Sequence, residues 1–159
     1  MHDKLTLAEA RQILSRAVEK ATEVGWISSY AIVDQGGNLI SLCRVDGAPP
    51  LSAPLSWSKA YLAAQTGEMS MDFGNRMHEH FERFLAYLKI FPRPIFPGPG
   101  AIPIKKNGKI VGAFSSSLSD KYTEMGMKFE LDGKYFSRED YVTAYALDIP
   151  YIEQHPTTR

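Results

Sequence analysis

Imidazoles, a mid-chain lysine and an arginine at a strand end are the side chains in this sequence best suited to chemistry at neutral pH. His78 and His80 stand two residues apart with Glu79 between them. On a helix that spacing turns the two rings about 200° from each other. They therefore cannot share one metal ion from one face, as an i, i+4 pair can. His80 lies nearer Arg76 and is a candidate proton shuttle, with Glu79 as the neighbouring carboxylate. Lys59 follows a loop rich in Ala and Pro, and a partly buried lysine there can bind an anion or move a proton. Arg44 ends a strand beside Asp46, where a guanidinium can take a carboxylate through two parallel hydrogen bonds. Each has a plainer reading: a histidine at a packing boundary, a solvated lysine, and a surface ion pair worth little.

A second group of residues can hold a flat molecule. Phe96-Pro97-Gly98-Pro99-Gly100 is a stiff Pro/Gly loop running into the apolar stretch Ala101–Ile104. Proline fixes φ, and glycine admits close approaches that a Cβ forbids. Pro97, Gly98 and Gly100 would line a slot; Phe96, Tyr30 and Tyr122 could stack on a ring. Ser116, in the run Ser115-Ser116-Ser117, would hydrogen-bond a ligand. No Gly-x-Ser-x-Gly nucleophile elbow surrounds it. The single cysteine, Cys43, excludes an internal disulfide and a thiolate zinc cluster; no metal site is expected.

The elements that must position these groups are legible from pattern. Thr6-Leu7-Ala8-Glu9 is a capping box that opens a helix over about Leu7 to Val24. Tyr30–Asp34 and Leu39–Arg44 form a hairpin. A helix is expected from Pro54 to Thr66, and a single long helix from Met71 to Ile90 with Phe73, Met77, Phe81, Phe84 and Leu88 as its apolar stripe. A second hairpin turns at Asn107-Gly108. Residues 118–136 show no clean period apart from a turn at Asp132-Gly133. Ser137 caps a last helix to about Leu147, and the tail from Pro150 reads as irregular. Helices covering an antiparallel sheet of two hairpins make an α+β, profilin-like layout in one domain spanning 1–159.

Bulk composition narrows the partners. The 159 residues carry a formal net charge of zero, with 44% hydrophobic and 23% charged residues. Nothing there points to nucleic acid or an anionic membrane. No apolar run approaches the length of a membrane span, and a reducing cytoplasm suits a lone thiol.

In order along the chain, Leu5–Ala10, Ala31–Leu39, Arg44–Ala48, Lys59-Ala60, Ala63-Ala64, Pro97-Gly98, Ile102–Ile104, Gly108 and Val111–Ala113 resemble the GlcG/HbpS family. That family is described as haem-binding or haem-degrading, and includes the C-terminal domain of PduO-type proteins. The resemblance implies homo-oligomers and, as cofactor, haem, with His78, His80 or Met77 as iron ligands. The chain departs from the family's pattern after the last long strand. Ser115-Ser116-Ser117 is followed by an aromatic segment with Tyr122, Phe129, Tyr135 and Phe136. That departure points to a closed pocket for a smaller aromatic molecule. The favoured expectation is therefore a cofactor-independent enzyme on an aromatic metabolite, of the ammonia-releasing 4-hydroxylaminobenzoate lyase type. Protonating the hydroxylamine oxygen lets water leave; water then adds to the ring and nitrogen departs as ammonia. Arg44 or Lys59 would clamp the carboxylate, and His80 or Glu79 would carry protons. The alternatives are haem handling and a non-catalytic oligomeric binder.

Overall fold

The computed structural model describes residues 4–118, 129–131 and 134–148. In chain order the elements are α1 (Leu7–Glu23), β1 (Ser28–Asp34), β2 (Leu39–Arg44), α2 (Ser52–Thr66), α3 (Ser70–His78), α4 (Phe81–Ile90), β3 (Ala101–Lys106), β4 (Lys109–Leu118), β5 (Phe129–Leu131), β6 (Lys134–Phe136) and α5 (Arg138–Leu147). Tyr122, the Asp132-Gly133 turn and the tail from Pro150 lie outside the described residues. No described helix is long and apolar enough to cross a membrane.

The expected capping box forms. Glu9 N–H donates to Thr6 Oγ1 at 3.2 Å, and Thr6 N–H donates to the Glu9 carboxylate at 2.8 Å. The two hairpins join through their inner strands, giving a four-stranded antiparallel sheet in the order β2-β1-β4-β3. This is the α+β layout expected from pattern. Strand alternation splits the core in two. Tyr30, Ile32 and Phe114 face α1 and α5, where Ala10, Ala17, Ala21, Val142 and Ala146 meet them. Ala31, Val33, Ala101 and Ala113 face Ala60, Ala63 and Ala64 of α2. Small side chains on both sides bring the α2 backbone close to the sheet, which matters for the reach of Lys59.

The single helix expected from Met71 to Ile90 is two helices. His80, with φ −135° and ψ 57°, breaks the chain between α3 and α4. The stripe breaks with it. Phe73 and Met77 are buried, while Phe81 is 62% and Leu88 45% exposed. The aromatic periodicity hid the break because it stays in helical phase across the joint. α4 is held along one edge by Phe84 and Tyr87, which pack with Phe91 onto the cluster of Tyr61, Leu62, Phe73, Met77 and Ile95. Its other side is left outward.

Glu9 also ties α1 to β3, since Lys106 Nζ lies 2.6 Å from its carboxylate. Lys106, with the Thr6 bonds, lowers the Glu9 carboxyl from its ordinary 4.5 to about 2. The stabilisation is complete above the unfolded value of 4.5 and is lost as pH falls towards 2. Glu9→Gln is expected to lower Tm at pH 7 by about 2–4 °C and to remove acid sensitivity within that window. An unchanged Tm in thermal unfolding at pH 7 would show that the contact stabilises nothing.

Candidate functional site

Lys59 sits at the head of the buried run Ala60-Tyr61-Leu62-Ala63-Ala64 and is itself 3% exposed. Its amine reaches the carbonyls of Pro99 at 2.8 Å and Ser116 at 2.7 Å. Gly100 makes the room. Its φ is +121°, and a Cβ there would stand 2.8 Å from Lys59 Nζ and press on the Ser116 carbonyl. Both the backbone angle and the close approach call for glycine.

The same residue collects the surrounding elements. Gly100 N–H donates to Asp140 Oδ1 at 2.9 Å. Its carbonyl accepts from Ser116 N–H at 3.0 Å and from Thr143 Oγ1 at 2.7 Å. Ser116 Oγ donates to the Glu139 carbonyl at 2.8 Å and lies 3.0 Å from Thr143 Oγ1. Asp140 accepts from Ser137 Oγ at 2.8 Å. On the flanks, Ser70 Oγ accepts from Ala101 N–H at 3.1 Å, and Ser56 Oγ donates to the Ser115 carbonyl at 2.9 Å. α2, the Pro/Gly loop, β4 and α5 thus converge on one buried polar node.

Burial dominates its electrostatics. Desolvation lowers the Lys59 pKa, opposed by the carboxylates of Glu139 and Asp140. Desolvation likewise raises Asp140 from 3.8 to about 6, against the bonds from Ser137 and Gly100 and the nearby Lys59. An amine shifted down beside a carboxyl shifted up is what acid–base catalysis needs. Each group is also held structurally, Lys59 by two carbonyls and Asp140 by the Gly100 N–H and the Ser137 hydroxyl, and leaving a buried partner unsatisfied costs about 1–3 kcal/mol.

The residues expected to form one site fall into five places. Lys59, Gly100 and Ser116 come together at the node. Phe96, Pro97 and Gly98 form the approach: the Phe96 ring lies on Gly98, and the Pro97 carbonyl packs where a Cβ on Gly74 of α3 would stand. His78, Glu79 and His80 are exposed at the α3–α4 joint. The expected neighbour of His80, Arg76, is instead paired with Glu68. Arg44 is exposed and closes its turn by donating to the Ala48 carbonyl at 2.6 Å. Tyr30 is fully buried, and stacks on Phe114 with ring centroids 6.1 Å apart. Among the described residues no group of three or more His, Cys, Asp or Glu could hold a metal ion.

Sequence reasoning missed Asp140 and Thr143. Asp140 reads locally as a helix-cap residue, which it also is: its own N–H donates to Ser137 Oγ at 3.3 Å. The signal that could have found the node is Lys59 itself. A lysine in a helix apolar on every side is buried, and a buried lysine must be partnered.

A family model described as "Haem degrading protein HbpS-like" matches residues 5–119. Protein GlcG of Escherichia coli (strain K12) is 29% identical over 122 residues, 74% of this chain and 85% of GlcG. An uncharacterized 15.0 kDa protein of Citrobacter freundii, from the dhaT-dhaS intergenic region, is 28% identical over 113 residues, 71% of this chain and 79% of its own. Among solved structures, a double mutant of Streptomyces reticuli HbpS superposes with a TM-score of 0.72 at 22% identity, covering 93% of this chain and 88% of that one. PduOC in complex with haem gives a TM-score of 0.70 at 17% identity, covering 91% and 94%. At these identities the superpositions establish a common fold.

The node makes a pH prediction. Between about 4 and about 6 the folded chain holds a proton on Asp140 that the unfolded chain has released. The contribution of this group to stability therefore falls as pH rises through that window, and levels off above it. Asp140→Asn is expected to flatten the urea-unfolding free energy across that window. A variant that keeps the wild-type slope would assign the slope to other groups.

Proposed function

From the membership of this chain in the HbpS-like family, we propose that it binds haem, or a flat apolar molecule like it, on the outward face of α4. The observation that carries this reading is the helix itself. Phe81, Leu85 and Leu88 are 62%, 46% and 45% exposed, and no α4 residue is buried. They lie within about 60° of one another around the helix and span about 10 Å along it. A soluble chain exposes such a stripe for a reason, and the exposed imidazoles of His78 and His80 adjoin its start.

Donor chemistry in the described residues fits an iron porphyrin here better than elsewhere. The Cys43 thiol is raised by burial, and the Tyr30 hydroxyl is pushed up to about 12. Neither is an anionic ligand at neutral pH. Met69 and Met77 are buried within apolar clusters. The two exposed imidazoles stand at the start of the stripe, and His80 adjoins Phe81. His80 would hold the metal, the stripe would cover the ring, and Lys89, on the flank of the stripe, would meet a carboxylate. A bound haem would supply the redox chemistry of its iron.

A second reading rests on the buried node: cofactor-independent acid–base chemistry on an aromatic metabolite, with Lys59 and Asp140 taking the proton-carrying roles. Its support is the opposed pKa shifts of those two groups. The node would have to open, because Lys59 is 3% and Asp140 4% exposed.

Haem titration separates the readings. A saturable Soret shift at micromolar haem is expected, with affinity lowered about tenfold or more in His80→Ala and weakened in Leu85→Glu. No shift, or identical spectra for wild type and a His78→Ala/His80→Ala double variant, would sink the haem reading. For the second, ammonia release from 4-hydroxylaminobenzoate is expected to fall by about 100-fold or more in Lys59→Met and Asp140→Asn. Wild-type protein that releases no ammonia would dispose of the lyase.

A further inference from the structure

A concavity of about 400 Å³ lies on the opposite side of the sheet from Lys59, where the end of α1 meets the start of β1 and the turn after β2. Its walls are Val18 and Ala21 of α1, then Trp26 and Ile27, then Val45. The floor is Tyr30. The Tyr30 hydroxyl is turned inward, accepting from Ser28 Oγ and donating to the Ala17 carbonyl at 3.5 Å. Its ring is wholly buried, so Tyr30 closes the concavity from beneath. The size suits a small organic molecule, and apolar walls with few polar groups are typical of such sites.

The polar groups around it are negative. Asp46 stands on the rim, exposed, with no hydrogen bond or ion pair among the described residues. The C-terminal end of α1 opens beside it at Thr22 and Gly25, and that end carries the negative pole of the helix dipole. Two cations lie nearby, each already engaged. Lys20 is bound to Glu23 at 3.1 Å, and Arg138 lies over the Trp26 ring, 5.5 Å from its centroid. The C-terminal carbonyls that would otherwise draw a cation are partly used, since Val24 and Trp26 N–H groups return to Lys20 and Ala21. Asp46 is thus the free counter-charge.

We propose that this concavity binds a small organic ammonium with an apolar or aromatic body, its body between Trp26 and Val45 and its cation at Asp46. Haem has no place here, because the lining residues include no imidazole, thiolate or thioether. The site is independent of the α4 face and of the buried node.

Benzylammonium is the probe, with benzyl alcohol and benzoate as neutral and anionic counterparts of the same size. The readout is the Trp26 indole N–H resonance, distinguished from Trp57 by a Trp57→Phe variant. A saturable shift is expected with benzylammonium, several-fold weaker with benzyl alcohol and weakest with benzoate. Asp46→Asn is expected to weaken benzylammonium by about three- to fivefold while leaving benzyl alcohol unchanged. Ala21→Phe, which fills the concavity, should abolish both. Because Asp46 is exposed, its variant tests the site even if Ala21→Phe fails to fold. Equal affinity for the three probes, no saturable shift, or an Asp46→Asn titration identical to wild type would each overturn the proposal.

Discussion

A lysine amine taken out of water must be given partners, and the fold is arranged around meeting that demand at Lys59. Desolvating such a group costs several kcal/mol unless nearby oxygens replace the lost hydration. The oxygens are main-chain carbonyls of Pro99, in the Pro/Gly loop, and Ser116, in β4. Their positions depend on Gly100, whose N–H and C=O are in turn held by Asp140, Ser116 and Thr143. A side chain at position 100 would occupy the space of the amine. The requirement for glycine, the burial of lysine and the seating of α5 are therefore one constraint seen from three sides.

The constraint propagates outward. α2 can deliver Lys59 to this depth because alanines face alanines across its contact with the sheet. α5 is fixed at its first turn by Ser137 and Asp140, so its Val142 and Ala146 reach the core beneath Tyr30 and Phe114. The Pro/Gly loop, pinned by Lys59 at one end, presents the Pro97 carbonyl to Gly74 and so sets the seat of α3. From α3 the break at His80 aims α4, whose inner edge joins an aromatic cluster with Phe73–Tyr87 and Phe73–Phe91 centroids 5.6 and 6.4 Å apart. The outward stripe of α4 is thus a consequence of where the loop is held.

Local signals were legible in the sequence, and non-local ones were not. The Thr6/Glu9 box and the Asn107-Gly108 turn each act within a few residues, and both appear where the pattern puts them. Hairpin alternation was enough to expect a helix-covered antiparallel sheet. The α3–α4 break at His80 leaves the helical phase of Phe73, Met77, Phe81 and Phe84 intact, so that phase misled. Of the residues expected to form a site, the structure brings Lys59 together with Gly100 and Ser116, because a glycine beside a strand and a lysine in an apolar helix each imply close approach. The expected site also included His80, Glu79 and Arg44, whose exposure depends on which side of an element solvent takes. Asp140 and Thr143 stayed hidden for a related reason: at the start of a helix, a carboxylate and a hydroxyl already have a local explanation.

The node is closed, while the α4 stripe and the concavity over Tyr30 are open, and the two tolerate substitution differently. At the node each polar group is committed to the backbone, so a change there costs fold stability before it alters binding. On the α4 stripe and in the concavity over Tyr30, exposed side chains such as Leu85 and Asp46 carry none of the node's bonds. Substitutions at such positions are worth little to the fold, usually within about 0.5 kcal/mol, yet they decide what a surface recognises. At 22% identity to HbpS this chain keeps the fold while most of its side chains differ. Identity of fold carries the family, and the chemistry of the exposed positions carries the ligand.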